Sequence, residues 1–155
     1  MKIIQFYADN PPFSWIEKIG KSDWKAGQYL AELLRNNKLR ELCGESTEVL
    51  LLTENDSLLS FCTLAERDEI HDTDMSPWVG FVYTFPEYRG NRHIAKLLEH
   101  ASRMAEKSGY EALYISTDQS GLYEKFGFSD TGIRKMSIYG DISMIYKKVL
   151  TKEAL

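Results

Sequence analysis

The stretch WVGFVYTFPEYRGNRHIAKLLEHASRMAEKSG, residues 78–109, constrains the fold more than any other part of the chain. Its first eight residues are aromatic, β-branched or small and stop at Pro86, so they read as a strand, buried on both faces. Beyond a turn containing one glycine, Gly90, the apolar positions Ile94, Leu97, Leu98, Ala101, Met104 and Ala105 form one helical stripe, and Gly109 supplies the stop. A strand that passes through so short a turn into a long amphipathic helix must lay that helix back on a sheet. The next apolar run, EALYIST, supplies another strand of the same sheet.

The flanking segments add antiparallel pairs to this unit. MKIIQFYA reads as a short strand stopped by Pro11 and Pro12. From Ser22 to about Cys43, Trp24, Ala31, Leu34, Leu39 and Leu42 roughly follow helical spacing, with Ser22 as a capping residue, Gly44 as the end and a break expected near RNNK. The runs TEVLLLTEN and SLLSFCTLAERD surround the turn-like Asn55-Asp56-Ser57 and form a hairpin, and EIHDTDMSP is polar and loop-like. QSGLYEKF reads as a short helix capped by Asp118, and TGIRKMSIYGDISMIYKKVL as two strands around Tyr139-Gly140-Asp141. The expected architecture is a mixed α/β sheet with helices on its faces, in one domain spanning 1–155.

The turn at 89–96 gathers Arg89, Arg92, His93 and Lys96 in a chain of formal net charge −4. A strand, a glycine turn and a helix start bring unpaired backbone N–H groups and the positive end of a helix dipole to one point, which favours a compact anion. The acidic balance argues against general nucleic-acid binding, which needs a broad basic face. The fingerprint G-x-G-x-x-G and the phosphate loop ending in Gly-Lys-Ser/Thr are both absent, so a Rossmann cofactor and nucleotide hydrolysis are disfavoured. Cys43 and Cys62 lie in no C-x-x-C pattern, the N-terminus has no signal-peptide pattern, and no window approaches a membrane span, so a cytoplasmic protein with reduced thiols is expected.

The succession VYTFPEYRG, AEKSGY, ALYIS and GLYEKFGF, covering about residues 77–128, resembles the central part of the GNAT superfamily of acyl-CoA-dependent N-acyltransferases. The resemblance implies the GNAT fold, a mostly antiparallel central sheet flanked by helices, and acetyl-CoA as acyl donor. It also implies direct transfer to a primary amine of a small molecule or of a peptide or protein, with a homodimer left open. A non-catalytic acyl-CoA-binding or sensing domain is the alternative. In the family, a loop of pattern Gln/Arg-x-x-Gly-x-Gly/Ala holds the coenzyme A pyrophosphate through backbone N–H groups. Laid on this chain the loop is Arg89, Gly90, Asn91, Arg92, His93 and Ile94, with Arg92 where the glycine belongs and Ile94 at the final small position. An arginine keeps its N–H in such a loop if its φ stays negative. The resemblance further assigns pairing with the pantetheine arm to the backbone of Val82, Tyr83 and Thr84, and protonation of the departing thiolate to Tyr123. At the position where many members carry an asparagine this chain has Ser116, and no role is transferred to it.

Candidate bases for the amine are Glu66, Asp68, Glu69 and Asp118, although the run ERDEIHDTD reads equally as a solvated loop. His71 among these carboxylates lacks the spacing of a calcium loop, and His93 and His100 are about 10 Å apart along one helix, so no metal site is expected. Cys62 reads as packing. Trp15, Trp24, Trp78 and Tyr83 are candidates to line an acceptor pocket, Trp78 foremost because it opens the central strand.

Overall fold

The computed structural model describes residues 1–150. The hairpin partners lead the sheet: β1 (Lys2–Tyr7), β2 (Glu48–Glu54), β3 (Ser57–Ala65) and β4 (Trp78–Thr84) pair antiparallel in chain order. Asn55 and Asp56, at φ 49° and 66°, make the tight β2–β3 turn, a left-handed pair matched to strand twist. Helix α4 (His93–Lys107) then crosses over to β5 (Ala112–Thr117), which runs parallel to β4, and β7 (Ile142–Val149) fits between β5 and β6 (Ser129–Met136). The seven-stranded mixed sheet is therefore antiparallel everywhere except at β4 and β5.

Each face of the sheet is covered by its own apolar layer. On one, Leu97, Leu98, Ala101 and Ala105 of α4 pack with Leu50, Leu52, Val79 and Leu113. On the other, α1 (Phe13–Gly20), α2 (Lys25–Arg35) and α3 (Leu39–Cys43) cover Val49, Leu51 and Phe61. Helix α1 has no counterpart in the sequence-based expectation. Pro12, at φ −68° and ψ 122°, is its N-cap rather than merely the end of β1, and Ile16 and Ile19 are buried one turn apart. The expected helix over 22–43 divides at Asn37, whose φ of 54° interrupts it. Ser22 does not cap α2, which begins from Trp24 without a side-chain cap; its hydroxyl donates to the Trp24 carbonyl.

Two irregularities open the middle of the sheet. Phe61 faces Tyr83 but Thr63 faces Gly80, so β4 carries one extra residue opposite Cys62, and Phe81 there adopts φ 49°. Beyond this bulge β4 bends away from β5, and only Trp78↔Tyr114 and Val79↔Ile115 remain paired. Strand β4 is thus not buried on both faces throughout, because Phe81 and Val82 stand half-exposed in the gap. The 12-residue loop between β3 and β4 is tied to the β6–β7 hairpin: Ile138 N–H donates to the Glu69 carbonyl at 2.9 Å, and Lys135 Nζ to the Asp72 carbonyl at 2.6 Å.

Among the described residues no helix is long and apolar enough to cross a membrane. Leu97, which is 1% exposed at the centre of the α4 layer, should cost about 2–5 kcal/mol when replaced by Ala, whereas the exposed Glu99→Ala should stay within about 0.5 kcal/mol of wild type. Urea unfolding of the two variants checks the difference.

Candidate active site

A cavity of about 990 Å³ fills the fork between β4 and β5. Val79 to Tyr83 form its floor, Ile115 to Thr117 one flank, Trp24 and Tyr29 of the α2 segment the other, and Tyr139 and Ser143 of the terminal hairpin reach its rim. Arg89 enters from the turn before α4, Ile94 from the first turn of α4, and Leu122 and Tyr123 from beyond β5. The fork therefore gathers segments separated by more than a hundred residues around one concave surface.

The turn after β4 has the form of an anion cradle, reached differently from the sequence-based expectation. Gly90 is at φ 88°, and no atom lies within 4 Å of the place a Cβ would occupy. Arg92 does not keep a negative φ: it sits at φ 57°, ψ 34° as the N-cap of α4, the left-handed conformation that glycine would adopt at little cost. Its guanidinium lies over the Phe126 ring at 5.8 Å, linking the turn to the 3-10 segment Tyr123–Phe126. No side chain caps α4, so its first N–H groups point outward without a side-chain partner. Asn91 closes the turn by donating to the Tyr88 carbonyl at 3.2 Å. His93 is turned inward, 7% exposed, and its Nδ1 has no hydrogen-bond partner.

Of the strand residues, Val82 lines the cavity, and Tyr83 is largely buried with its ring stacked on Trp24 at 5.4 Å. The Tyr83 hydroxyl donates to the Asp23 carboxylate; burial first, then this bond, pushes its acidity below that of an ordinary phenol. Thr84 shares a hydroxyl–hydroxyl bond with Ser60 at 3.0 Å. Its carbonyl accepts from Arg89 Nε at 2.9 Å, while the Arg89 guanidinium also rests over the Tyr83 ring at 5.4 Å.

Tyr123 is 7% exposed, edge-on to Phe128 at 6.1 Å, and forms part of the cavity wall. Burial, followed by the neighbouring Cys62, Asp68 and Asp118, pushes its phenol up to about 12, so it remains protonated at neutral pH. The expected Asp118 cap is not made. Instead the Glu124 carboxylate turns back to accept from Gly121 N–H at 3.0 and 3.2 Å.

The acidic loop divides according to its partners. Glu66 leaves the site, because its carboxylate accepts from the backbone and hydroxyl of Ser46, and these bonds hold it below the usual carboxylate range. Asp68 and Glu69 line the cavity with Asp118. A Cβ on Gly80 would lie 2.0 Å from Asp68 Oδ1, so the Asp68 carboxyl rests on the bare backbone of β4. Burial and the neighbouring Glu69 push it up to about 7, against the opposing effect of a bond from Glu69 N–H. Glu69 Oε1 accepts from Ser116 Oγ at 2.9 Å and Ser143 Oγ at 2.8 Å, joining the loop to β5 and β7.

The aromatic expectation needs two corrections, at Trp78 and at Trp15, neither of which lines the cavity. Trp78 is 0% exposed and donates Nε1 to the Met75 carbonyl at 2.7 Å, which makes it core rather than pocket wall. Trp15 packs on the α1–α2 layer beneath Lys18. Trp24 reaches the cavity, joined by Tyr29 and Tyr139, which the sequence did not single out because isolated tyrosines carry no spacing signal.

Residues 45–130, just over half of the chain, match the family model described as an acetyltransferase (GNAT) domain. No curated protein matches the sequence. Among solved structures, an aminoglycoside 6'-N-acetyltransferase complexed with coenzyme A is similar over 100% of both chains, at 14% identity and a TM-score of 0.72. An N-acetyltransferase from Staphylococcus aureus Mu50 is similar at 16% identity, over 97% of this chain and 100% of that one, with a TM-score of 0.68. A GNAT family acetyltransferase from Elizabethkingia anophelis with acetyl-CoA bound is similar at 15% identity, over 96% and 97% of the two chains, with a TM-score of 0.66.

The left-handed Arg92 yields a direct test. Arg92→Gly and Arg92→Ala both lose the contact with Phe126, but only glycine removes the strain, so the glycine variant should be the more stable of the two by about 1 kcal/mol. Chemical denaturation of both variants measures that gap.

Proposed function

The chain belongs to the GNAT acetyltransferase family, and on that premise we propose that it transfers an acetyl group from acetyl-CoA directly to a primary amine within a ternary complex. The fork between β4 and β5 carries this reading: it leaves a strand edge without a partner beside an uncapped helix start, with a protonated tyrosine on the facing wall. An extended pantetheine arm suits such an edge, since its amides can pair with strand backbone as an added strand would. The N–H groups of 90–94 suit the pyrophosphate, Arg92 presenting its own from the left-handed conformation a glycine would take there rather than from a negative φ, with Arg89 supplying nearby charge. The acetyl-CoA-bound structure and the coenzyme A complex named above support the same donor.

In this reaction a neutral amine attacks the thioester carbonyl carbon, the C–N bond forms, the C–S bond breaks, and the sulfur leaves as thiolate. Val82, Tyr83 and Thr84 orient the donor along β4. Tyr123 gives its proton to the departing sulfur; a phenol pushed up to about 12 lies above a thiol, so it holds the proton until thiolate forms. The acceptor enters between Trp24, Tyr29 and Tyr139, and the amine belongs to a small molecule or a peptide.

Acetyl-CoA should raise the thermal midpoint, since a ligand held only by the folded state stabilises it; no shift at saturating coenzyme would sink the reading. With a panel of amines, thiol release should accompany acetylation. Tyr123→Phe should lower kcat by roughly 10²–10⁴-fold with little change in coenzyme affinity. A Phe variant as fast as wild type would remove Tyr123 from the mechanism.

A further inference from the structure

Resting on the acetyltransfer reading above, we propose that Asp68 takes the proton from the acceptor's ammonium group, and that Glu69, fixed by Ser116 and Ser143, gives that ammonium its counter-charge. The acceptor is then an alkylamine that arrives as a cation and carries no carboxylate beside the reacting nitrogen. Five carboxylates in ERDEIHDTD are indistinguishable by spacing, but in space only two of them face the cavity, and these two have different surroundings.

Asp68 owes its position to Gly80. Any side chain at 80 would occupy the volume of the Asp68 carboxyl, which reaches the floor of the cavity beside Val79, the last β4 residue still paired with β5. A proton acceptor is thereby set where the two strands part, beside the edge along which the acyl donor lies. The groups facing it come from every side: Cys43 from α3, Tyr123 from the 3-10 segment, Tyr139 from the terminal hairpin, and Glu69 from its own loop. None of these is a cation. Lys25 and Arg89 also line the cavity, but Arg89 is engaged by the Thr84 carbonyl and the Tyr83 ring. Among the described residues neither Asp68 nor Glu69 enters an ion pair, although both carboxylates reach the cavity.

Asp118 and Asp141 also reach the cavity, but both are exposed, and neither is held against the floor as Asp68 is. Glu69 differs from Asp68 in being fixed: two hydroxyls from two strands donate to one of its oxygens, leaving the other for a ligand. The step balances without another reagent. A primary alkylammonium, ordinarily protonated up to about pH 10, gives one proton to Asp68 and becomes the nucleophile. As the adduct collapses, Tyr123 gives its proton to the sulfur and regains one from water, the nitrogen gives its second proton to water, and Asp68 returns the first to water, so that one proton is released in each turnover. An α-carboxylate on the acceptor would meet Glu69 and Asp68 as a like charge, which disfavours amino acids acylated at the α-nitrogen.

The test uses the intact protein, acetyl-CoA and two pairs of acceptors matched but for a carboxylate: 2-phenylethylamine against phenylalanine, and 1,5-diaminopentane against lysine. Wild type should show kcat/KM rising through about pH 7 to a plateau as Asp68 loses its proton. Asp68→Asn should abolish that limb and lower kcat by roughly 10²–10⁴-fold while acetyl-CoA still raises the thermal midpoint. Asp68→Glu, one methylene longer against the β4 backbone, should keep a pH limb at reduced rate. Glu69→Gln should raise KM for the amines and shrink their advantage over the amino acids.

Stability gives a second readout. The folded state holds the Asp68 proton more tightly than the unfolded chain does, so its stability contribution falls as pH rises from 3.8 toward 7. Asp68→Asn should therefore melt higher than wild type above pH 7, with the gain vanishing near pH 4. No thiol release with any amine would remove the acetyltransfer reading and this proposal with it. Release by Asp68→Asn at the wild-type rate and with the wild-type pH profile would overturn the proposal alone, as would phenylalanine outpacing 2-phenylethylamine.

Discussion

A strand edge in the middle of a sheet is costly, because each N–H and C=O left there without a partner loses about the free energy of a hydrogen bond unless water or a ligand replaces it. The structure nevertheless stops the β4–β5 ladder after Val79↔Ile115. Everything around the fork follows from that break. The bulge at Phe81 bends β4 away, helix α4 departs from its far end, and the chain returning through β5 must pass the gap before reaching Tyr123. A sheet paired throughout would be more stable, but it would have neither the cavity nor the free edge.

The electrostatics of the cavity are divided along its length. At the β4 end, the helix start and Arg89 present positive potential, suited to an anion. Toward the hairpin, Asp68, Glu69 and Asp141 present the opposite sign. Two substrates of opposite charge would therefore sort themselves before any close contact is made. Of the two titratable groups proposed for proton transfer, Asp68 is near enough to Tyr123 to raise the phenol's proton affinity, and burial moves both in the same direction. One is brought near neutrality, where it can exchange a proton, and the other is kept protonated.

Much of the fold was legible in the chain because its signals are local. The alternation from strand to helical period at 78–105, the Asn55-Asp56 turn and the closing hairpin each depend on residues close in sequence. The expectations that failed depended on distant partners. Trp78 is core because Tyr114 and Ile145 receive it, and Pro12 starts a helix because Ile16 and Ile19 find the α1–α2 layer. Arg92 adopts the glycine conformation because Phe126, more than thirty residues on, takes its guanidinium. The site was legible only in outline, since nothing in the acidic run indicates that Glu66 turns to Ser46 while Asp68 turns to Gly80.

The bonds joining the β3–β4 loop to the terminal hairpin bear on how binding energy is used. A 12-residue segment without regular structure ordinarily gives up its conformational freedom only when a ligand orders it, and that entropy subtracts from affinity. Here the Glu69 carbonyl and carboxylate and the Asp72 carbonyl are already bonded to Ile138, Ser116, Ser143 and Lys135. That loss is incurred as the chain folds, so an arriving molecule meets a wall already arranged and keeps more of its contact energy for association.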